Sequence, residues 1–169
     1  MNIGVIGTGY VGLVQGIIMA EFGANTICMD ISNEKIEKLK KGIIPIYEPG
    51  LKELLDKNSK RVEFTTDIKY VVEQSEVIFI AVGTPPALDG SADLHYVLEV
   101  AKNIGKYLNE YKVIVNKSTV PVGTGELVRE VIEKELENRG LNINFDIVSN
   151  PEFLREGKAV NDCLRPNRI

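Results

Sequence analysis

The sequence predicts an α/β fold: a doubly wound, mostly parallel sheet with helices on both faces. Short apolar runs alternate with helical patterns along the chain, which is typical of the βα units that build a parallel sheet. The first apolar run breaks into Gly-x-Gly-x-x-Gly at residues 7–12 and continues as an apolar helix. A length of 169 residues, with 44% hydrophobic and 26% charged residues, indicates one globular domain with a sizeable core.

Six apolar runs are predicted to be strands, and the segments between them are expected to be mostly helical. The predicted strands are residues 2–7, 25–30, 61–65, 77–82, 112–116 and 145–149. The first helix is apolar nearly all round, as expected of a helix buried against a sheet. Its apolar residues include Val14, Ile17, Ile18 and Met19.

Two amphipathic helices are predicted from their periodicity. Residues 32–41 carry Ile36 and Leu39 at helical spacing, with Gly42 as a stop. Two oppositely charged pairs at i,i+4 spacing support this helix: Glu34 with Lys38, and Glu37 with Lys41. Residues 126–139 place on one face Leu127, Val128, Val131, Ile132 and Leu136, with Gly140 beyond.

The glycine motif predicts a dinucleotide-binding turn, so we expect a sheet of the Rossmann type. Gly7 allows the tight turn, Gly9 lets the backbone approach a pyrophosphate, and Gly12 lets the helix pack closely on the strand. Unpaired N–H groups and a partial positive charge at the helix start suit a diphosphate anion. Tyr10 lies within this motif and is included in the predicted cofactor site.

The second apolar run ends in Asp30, about twenty residues past the turn, where a carboxylate can accept hydrogen bonds from ribose hydroxyls. Asp30 favours NAD over NADP, because a 2′-phosphate beside it would be repelled and residues 31–41 contain no arginine. Lys35 leaves NADP open as the alternative cofactor. The alternative for Asp30 is an acid that caps a helix or a turn.

Four segments depart from the βα pattern, and we expect the substrate chemistry there. They are residues 44–51, 82–86, 117–124 and 150–157. In open α/β sheets ligands bind outside the carboxyl ends of the strands, so these segments are expected to converge on one site. Their Thr-Pro and Val-Pro pairs also fit plain strand ends, since a residue before proline is pushed to extended conformations.

Glu152 and Glu156 would share a face if their segment were helical. Two like charges at that spacing cost roughly a few tenths of a kcal/mol, which favours separate partners for them. The alternative is that both acids only occupy a helix start, where acids are favoured.

Composition argues against several other classes of protein. A net charge of -4 and a pI near 5.2 give no electrostatic footprint for nucleic acid, nor for a membrane surface. Cys28 and Cys163 show no metal or redox spacing, which indicates a reducing compartment, and we expect the cytoplasm. His95 has no second His or Cys nearby, so a surface or packing role is expected and no metal site.

Five motifs together resemble the UDP-glucose/GDP-mannose dehydrogenase family, in the family's order and across residues 1–169. They read Gly-Thr-Gly-Tyr-Val-Gly, Pro-Ile-Tyr-Glu-Pro-Gly-Leu, Val-Gly-Thr-Pro, Lys-Ser-Thr-Val-Pro-Val-Gly-Thr and Asn-Pro-Glu-Phe-Leu-Arg-Glu-Gly. The resemblance implies oxidation of C6 of UDP-glucose to UDP-glucuronate in two NAD-dependent steps. It also implies a thiohemiacetal and a thioester on cysteine, and release of the uronate by water.

The resemblance assigns roles to residues that match the family's motifs. It implies NAD contacts at Val11, Asp30, Lys35, Thr84, Thr119 and Glu156. It implies contacts to the nucleotide sugar at Glu152, Phe153, Leu154, Arg155 and Glu156. Glu152 and Thr119 would position or activate the hydrolytic water, since a carboxylate base beside a thioester lowers a barrier that neutral water crosses slowly.

The family's nucleophilic cysteine belongs to a later domain, so residues 1–169 are expected to be the NAD-binding domain alone. Such a fragment is expected to bind cofactor without turning over substrate. Cys163 stands where family members commonly carry an aromatic residue, and we expect it to pack in the core. The resemblance also implies that the full-length protein is a homo-oligomer.

Two other functions stay open at this point. One is a family member that oxidises UDP-N-acetylmannosamine or GDP-mannose, because the sugar and base are read partly outside this chain. The other is a non-catalytic module that binds NAD to regulate a partner, since a fold alone does not define an activity.

Overall fold

The computed structural model describes residues 1–87 and 90–166, and within them six strands and seven helices follow one another along the chain. The strands are β1 (Asn2–Ile6), β2 (Asn25–Met29), β3 (Val62–Thr65), β4 (Val77–Ile80), β5 (Lys112–Asn116) and β6 (Phe145–Ser149). The helices are α1 (Tyr10–Glu21), α2 (Asn33–Lys40), α3 (Leu51–Lys57), α4 (Ile68–Gln74), α5 (His95–Tyr107), α6 (Thr124–Asn138) and α7 (Ala159–Leu164).

The six strands form one parallel sheet in the order β3-β2-β1-β4-β5-β6. Val5 at the centre lies between Cys28 of β2 and Phe79 of β4. The strand order reverses between β1 and β4, so the crevice above these two strands is the topological switch point where ligands bind in such folds. The predicted doubly wound sheet is therefore confirmed.

The sheet separates two apolar cores. On one face α4, α5 and α6 cover a core that includes Ile6, Ile78 and Ile114. On the other face α1, α2, α3 and α7 cover a core that includes Val5 and Cys28. Helices thus lie on both faces, as predicted, and α1 is buried along most of its length.

Strand ends differ from the prediction by one or two residues at four of the six strands. Gly7 leaves β1 because its φ of +102° turns the chain away, although its N–H still donates to the Met29 carbonyl at 2.8 Å. β4 ends at Ile80 because the N–H groups of Lys117 and Ser118 both converge on the Ile80 carbonyl, at 2.9 and 3.1 Å. The ladder cannot continue past that shared acceptor.

The two predicted amphipathic helices are present with shifted ends. α2 begins after Ser32, whose hydroxyl accepts a hydrogen bond from the Lys35 N–H at 3.3 Å. α6 begins two residues before the predicted start, where the Thr124 hydroxyl donates to the Pro121 carbonyl at 2.7 Å. Leu127, predicted on the buried face of α6, is exposed.

One of the two charge pairs predicted on α2 is wrong. Glu34 and Lys38 form theirs at 2.7 Å. Glu37 contacts Lys40 at 3.1 Å rather than the predicted Lys41, because Lys41 is the C-cap and lies beyond the last helical turn.

The remaining expectations concern the two cysteines, the histidine and the possibility of a membrane-spanning helix. Cys28 is buried and Cys163 half-buried, and both are free thiols. His95 is exposed at the start of α5, 3.7 Å from Glu99. In the described part of the chain, no helix combines the length and apolarity that crossing a bilayer requires.

α1 lies so close to β2 that a single methyl group is expected to disturb the core. A Cβ at Gly16 would overlap the Cys28 sulfur, so Gly16→Ala should lower the free energy of unfolding by about 1–3 kcal/mol despite the better helix propensity of alanine. Urea denaturation of Gly16→Ala, Cys28→Ala and the double variant measures this. The double variant should lose less than the sum of the two single losses, because the overlap is then relieved.

The matched control is Gly125→Ala in α6, where a Cβ would lie 3.6 Å from Ile147 in ordinary contact. We expect this variant to be at least as stable as the original chain, because alanine has the better helix propensity. Equal losses at Gly16 and Gly125 would contradict the packing argument.

Candidate functional site

The glycine turn sits at the carboxyl end of β1, over the switch point. A Cβ at Gly7 would lie 2.6 Å from the Ala81 carbonyl, and one at Gly12 would overlap the Gly7 carbonyl. A Cβ at Gly9 would meet nothing within 4 Å. Gly7 and Gly12 are therefore required by the turn itself, whereas Gly9 leaves its backbone open to the crevice.

The start of α1 offers backbone donors to that crevice. Gly9 is the N-cap of the helix and has no side chain to accept from the first turn. The N–H groups of the first helical residues have no intrahelical partners. Val11 is half-buried in this turn. This is the geometry that suits a phosphate group at a helix start.

Asp30 lies beside the turn and is 8% exposed. Its Oδ2 accepts hydrogen bonds from the Thr8 N–H at 3.0 Å and the Thr8 hydroxyl at 2.8 Å, and it pairs with Lys35 Nζ at 2.6 Å. Its Oδ1 accepts from the Ser32 N–H at 3.0 Å. Burial raises the pKa of Asp30, but the hydrogen bonds from Lys35, Ser32 and Thr8 outweigh it and hold the pKa below its ordinary value.

The structure is compatible with both interpretations of Asp30. Its carboxylate closes the local turn at Ser32, and it also stands at the carboxyl end of β2 beside the glycine turn. Oδ1 accepts from Ser32 alone among the described residues, so it retains capacity for a ribose hydroxyl. Thr8, which holds this carboxylate, was missed because it lies between the first two glycines of the motif, at a position that any residue can occupy.

The loops after β4 and β5 are joined to each other. The Thr84 hydroxyl donates to the Thr119 carbonyl at 2.9 Å. The Ser118 hydroxyl donates to the Val82 carbonyl at 2.7 Å. Two residues predicted to contact NAD, Thr84 and Thr119, are therefore brought together, with the Thr119 side chain exposed.

Lys117 joins the β5 loop to the β6 loop. This side chain is 9% exposed, and its ammonium donates to Asn150 Oδ1 at 3.0 Å. Burial lowers the pKa of Lys117, while the nearby Cys163 and Glu152 act in the opposite direction. The lysine thus holds the start of the segment that contains Glu152.

The segment that contains Glu152 and Glu156 is not helical. Residues 150–158 form an irregular loop and a turn, and α7 begins only at Ala159. The two glutamates therefore do not share a helix face. Glu152 is half-buried and accepts from the Leu154 N–H at 2.6 Å, whereas Glu156 is exposed.

Phe153 and Arg155 of the same segment are exposed. The Arg155 guanidinium forms two parallel hydrogen bonds with the Asp162 carboxylate, at 2.9 and 2.7 Å. This bidentate pair fastens the loop to α7.

Glu48 is a functional candidate that sequence reasoning missed within a segment it had singled out. It is 6% exposed and accepts from the Tyr10 hydroxyl, from the Gly157 N–H at 2.8 Å and from the Val160 N–H at 3.2 Å. Burial and the hydrogen bond to Glu48 raise the pKa of Tyr10 to about 12. Its partners lie 38 or more residues away, so no local spacing reveals it.

Neither cysteine is prepared for nucleophilic chemistry. Burial raises the pKa of Cys28 to about 12. Burial also raises the pKa of Cys163, although Lys117 opposes it. Cys163 lines an apolar groove of about 780 Å³ between α1, α7 and residues 150–155, away from the glycine turn. Because the thiolate is the nucleophile, a raised pKa disfavours the reactive form of both thiols.

Comparison with known proteins decides the family. Residues 1–169 match the model of the UDP-glucose/GDP-mannose dehydrogenase family, NAD binding domain. The chain belongs to this family. It is the family's NAD-binding domain, and NAD is the cofactor that this domain implies.

Similar proteins share the whole length of this chain. The UDP-glucose 6-dehydrogenase TuaD of Bacillus subtilis is 55% identical over 169 residues, which are 99% of this chain and 36% of the relative. The UDP-glucose 6-dehydrogenase of Rhizobium meliloti is 51% identical over 172 residues, covering 100% of this chain and 38% of the relative. The chain thus spans little more than a third of the length of these relatives.

Solved structures agree on the fold. A UDP-glucose dehydrogenase from Pyrobaculum islandicum superposes with a TM-score of 0.93 at 41% identity, over 99% of this chain and 39% of the other. A GDP-mannose dehydrogenase from Pseudomonas aeruginosa gives 0.87 at 38% identity, over 96% and 38%.

The residues present fit NAD. The open backbone at Gly9 and the free N–H groups at the start of α1 suit the pyrophosphate. The Asp30 carboxylate, with one oxygen still able to accept, suits the ribose hydroxyls of this family's cofactor.

Substitutions at two glycines of the turn are expected to have different effects, one on NAD binding and the other on the stability of the fold. Gly9→Ala should leave the melting temperature nearly unchanged, because its Cβ meets open space and its φ of -69° suits alanine. It should raise the Kd for NAD about tenfold or more, because the methyl group occupies the path of the pyrophosphate. Calorimetric titration with NAD measures this effect.

Gly12→Ala serves as the counterpart, since its Cβ would overlap the Gly7 carbonyl. It should lower the melting temperature by several degrees whether or not NAD is present. A Gly9→Ala variant that binds NAD as well as the original chain would contradict the assignment of the turn.

Proposed function

We propose that this chain supplies the NAD-binding part of an enzyme that oxidises C6 of UDP-glucose to UDP-glucuronate in two NAD-dependent steps. The observation that carries the proposal is the whole-chain identity of 51–55% to relatives named UDP-glucose 6-dehydrogenase. The solved GDP-mannose dehydrogenase is less similar, at 38% identity. That difference favours UDP-glucose among the nucleotide sugars.

The geometry of the switch point supports an assignment of the first cofactor contacts. We assign the pyrophosphate to the turn of Gly7, Gly9, Tyr10, Val11 and Gly12, and the ribose to Asp30 and Lys35. Three further residues are assigned to NAD on the family resemblance: Thr84, Thr119 and Glu156. NAD, when bound, supplies the hydride acceptor for both oxidation steps.

Glu152 and Thr119 are assigned to the hydrolytic step. Glu152 takes a proton from water, the water oxygen bonds to the carbonyl carbon of a thioester, and the thiolate leaves, so the uronate is released. The Thr119 hydroxyl is exposed at the same edge of the sheet and orients the water. Residues 152–156 are assigned to the nucleotide sugar, and the link from Lys117 to Asn150 supports their placement at this edge.

The nucleophile is assigned outside residues 1–169. Cys28 is buried in the core and Cys163 has a raised pKa, so neither suits covalent catalysis. The length of the relatives supports this assignment. We also propose a cytoplasmic location, which the free thiols support, and, on the family resemblance, self-association of the full-length enzyme.

Asp30→Ala should weaken NAD binding about tenfold or more, because a charge-assisted hydrogen bond to the ribose is lost. NADP binding should weaken less or improve, because the repulsion of the 2′-phosphate disappears. Calorimetry with both cofactors measures the ratio of the two affinities. Asp67→Ala is the control, since the Asp67 carboxylate also accepts from a backbone N–H, that of Tyr70 at 3.1 Å, but Asp67 follows β3. An unchanged ratio in Asp30→Ala would contradict the assignment.

A chimera tests the catalytic part of the proposal. In it, residues 1–169 of this chain replace the matching part of Bacillus subtilis TuaD, and NADH formation from UDP-glucose is followed by absorbance. We expect the chimera to be active, and Glu152→Gln to lower kcat about 10²–10⁴-fold because the general base is lost. Thr119→Ala should lower kcat by a smaller factor.

Glu133→Gln on the exposed face of α6 is the matched control and should leave kcat unchanged. A Glu152→Gln chimera as fast as its parent would contradict the role of Glu152. NADH formation by the 169-residue chain alone would contradict the placement of the nucleophile elsewhere.

A further inference from the structure

Glu48 is a buried carboxylate for which the proposed function has no use. Its oxygens receive three neutral donors: the Tyr10 hydroxyl and the Gly157 N–H on Oε2, and the Val160 N–H on Oε1. No cation lies within ion-pair distance of it among the residues that the structure describes. A carboxylate kept in such a place needs every one of its donors.

The three donors come from two distant parts of the chain. Tyr10 is the first residue of α1 and directly follows Gly9 of the cofactor turn. Gly157 directly follows Glu156 of the segment assigned to the nucleotide sugar, and Val160 lies in α7. The Tyr10 hydroxyl also lies 3.4 Å from the Arg155 carbonyl and 3.2 Å from the Gly157 nitrogen.

We propose that Glu48 is a positioning residue that holds the nucleotide-sugar segment against the cofactor turn through Tyr10 and Gly157. The proposal rests on the proposed function, which assigns the two parts to cofactor and substrate. Glu48 itself is buried, and it acts through its three donors. Its effect is that NAD, by steadying the start of α1, also steadies residues 152–157.

In the competing role, Glu48 is only a brace: it stabilises residues 152–160 without any link to the cofactor. The two roles differ in one measurable quantity. A brace changes the stability of residues 152–160 by the same factor with and without NAD. A link to the cofactor changes the additional stability that NAD binding gives to these residues. The experiment must therefore measure this increment at single amides.

The experiment is amide hydrogen exchange by NMR on the 169-residue chain, with and without saturating NAD, read at Gly157 and Val160. Glu48→Gln should speed exchange at both amides about tenfold or more, since each loses a charged acceptor, while the amides of β1 stay unchanged. In the original chain NAD should slow exchange at Gly157. In Tyr10→Phe this slowing should disappear, although Glu48 still accepts the Gly157 amide.

Tyr70→Phe is the matched control, because the Tyr70 hydroxyl also donates to a glutamate, Glu63, at 3.1 Å, but Tyr70 packs on the opposite face of the sheet from α7. It should keep the full slowing by NAD. If Tyr10→Phe also keeps it, the link is overturned. If Glu48→Gln leaves exchange at Gly157 and Val160 unchanged, the positioning role is overturned as well.

Titration of the original chain with NAD comes first and separates the two proposals. A chain that does not bind NAD overturns the cofactor contacts of the proposed function and, with them, the link. A chain that binds NAD with no effect on Gly157 overturns the link alone. If Glu48→Gln does not fold, Tyr10→Phe still decides the matter, because it retains the carboxylate and both of its backbone donors.

Discussion

The close approach of α1 to the central strands is the constraint on which the other features depend. Gly12 and Gly16 are four residues apart and face the sheet, one against the Gly7 carbonyl and the other against the Cys28 sulfur. A side chain at either position would push the helix outward. Because the helix lies this close, its first turn begins beside the carboxyl ends of β1 and β4, next to Gly7 and Ala81.

Two buried carboxylates hold the turn from its two sides. Thr8 and Tyr10 flank Gly9, and they donate to Asp30 and Glu48 respectively. Gly9 has no side chain with which to anchor itself, so its position is set by these neighbours. The arrangement meets two requirements of the proposed phosphate site, since a residue that approaches the phosphate must lack a side chain and must also be held in place.

Local signals account for the parts of the molecule that sequence could predict. The central strands β1 and β4 are largely buried, so each is a nearly continuous apolar run that can be recognised without knowledge of its neighbours. Asp30 could be found because one βαβ unit sets its distance from the glycines. Glu48 could not, since it lies 38 residues from Tyr10 and 109 from Gly157. The segment at Glu152 was singled out, but its shape could not be predicted, because that shape depends on the Lys117 link to Asn150 and on the pair of Arg155 with Asp162.

Residues assigned to the site come from both halves of the sheet, which meet at the crevice. Asp30 and Lys35 belong to the half that contains β1, β2 and β3, whereas Thr84 and Thr119 belong to the half that contains β4, β5 and β6. Glu48 crosses between them, because it is carried by the first half and accepts from Gly157 of the second. A dinucleotide that lies across the switch point spans the same two halves. The contact of Glu48 with Gly157 and a bound dinucleotide would therefore both join the two halves of the sheet. A change in this contact is expected to affect dinucleotide binding, and dinucleotide binding is expected to affect the contact.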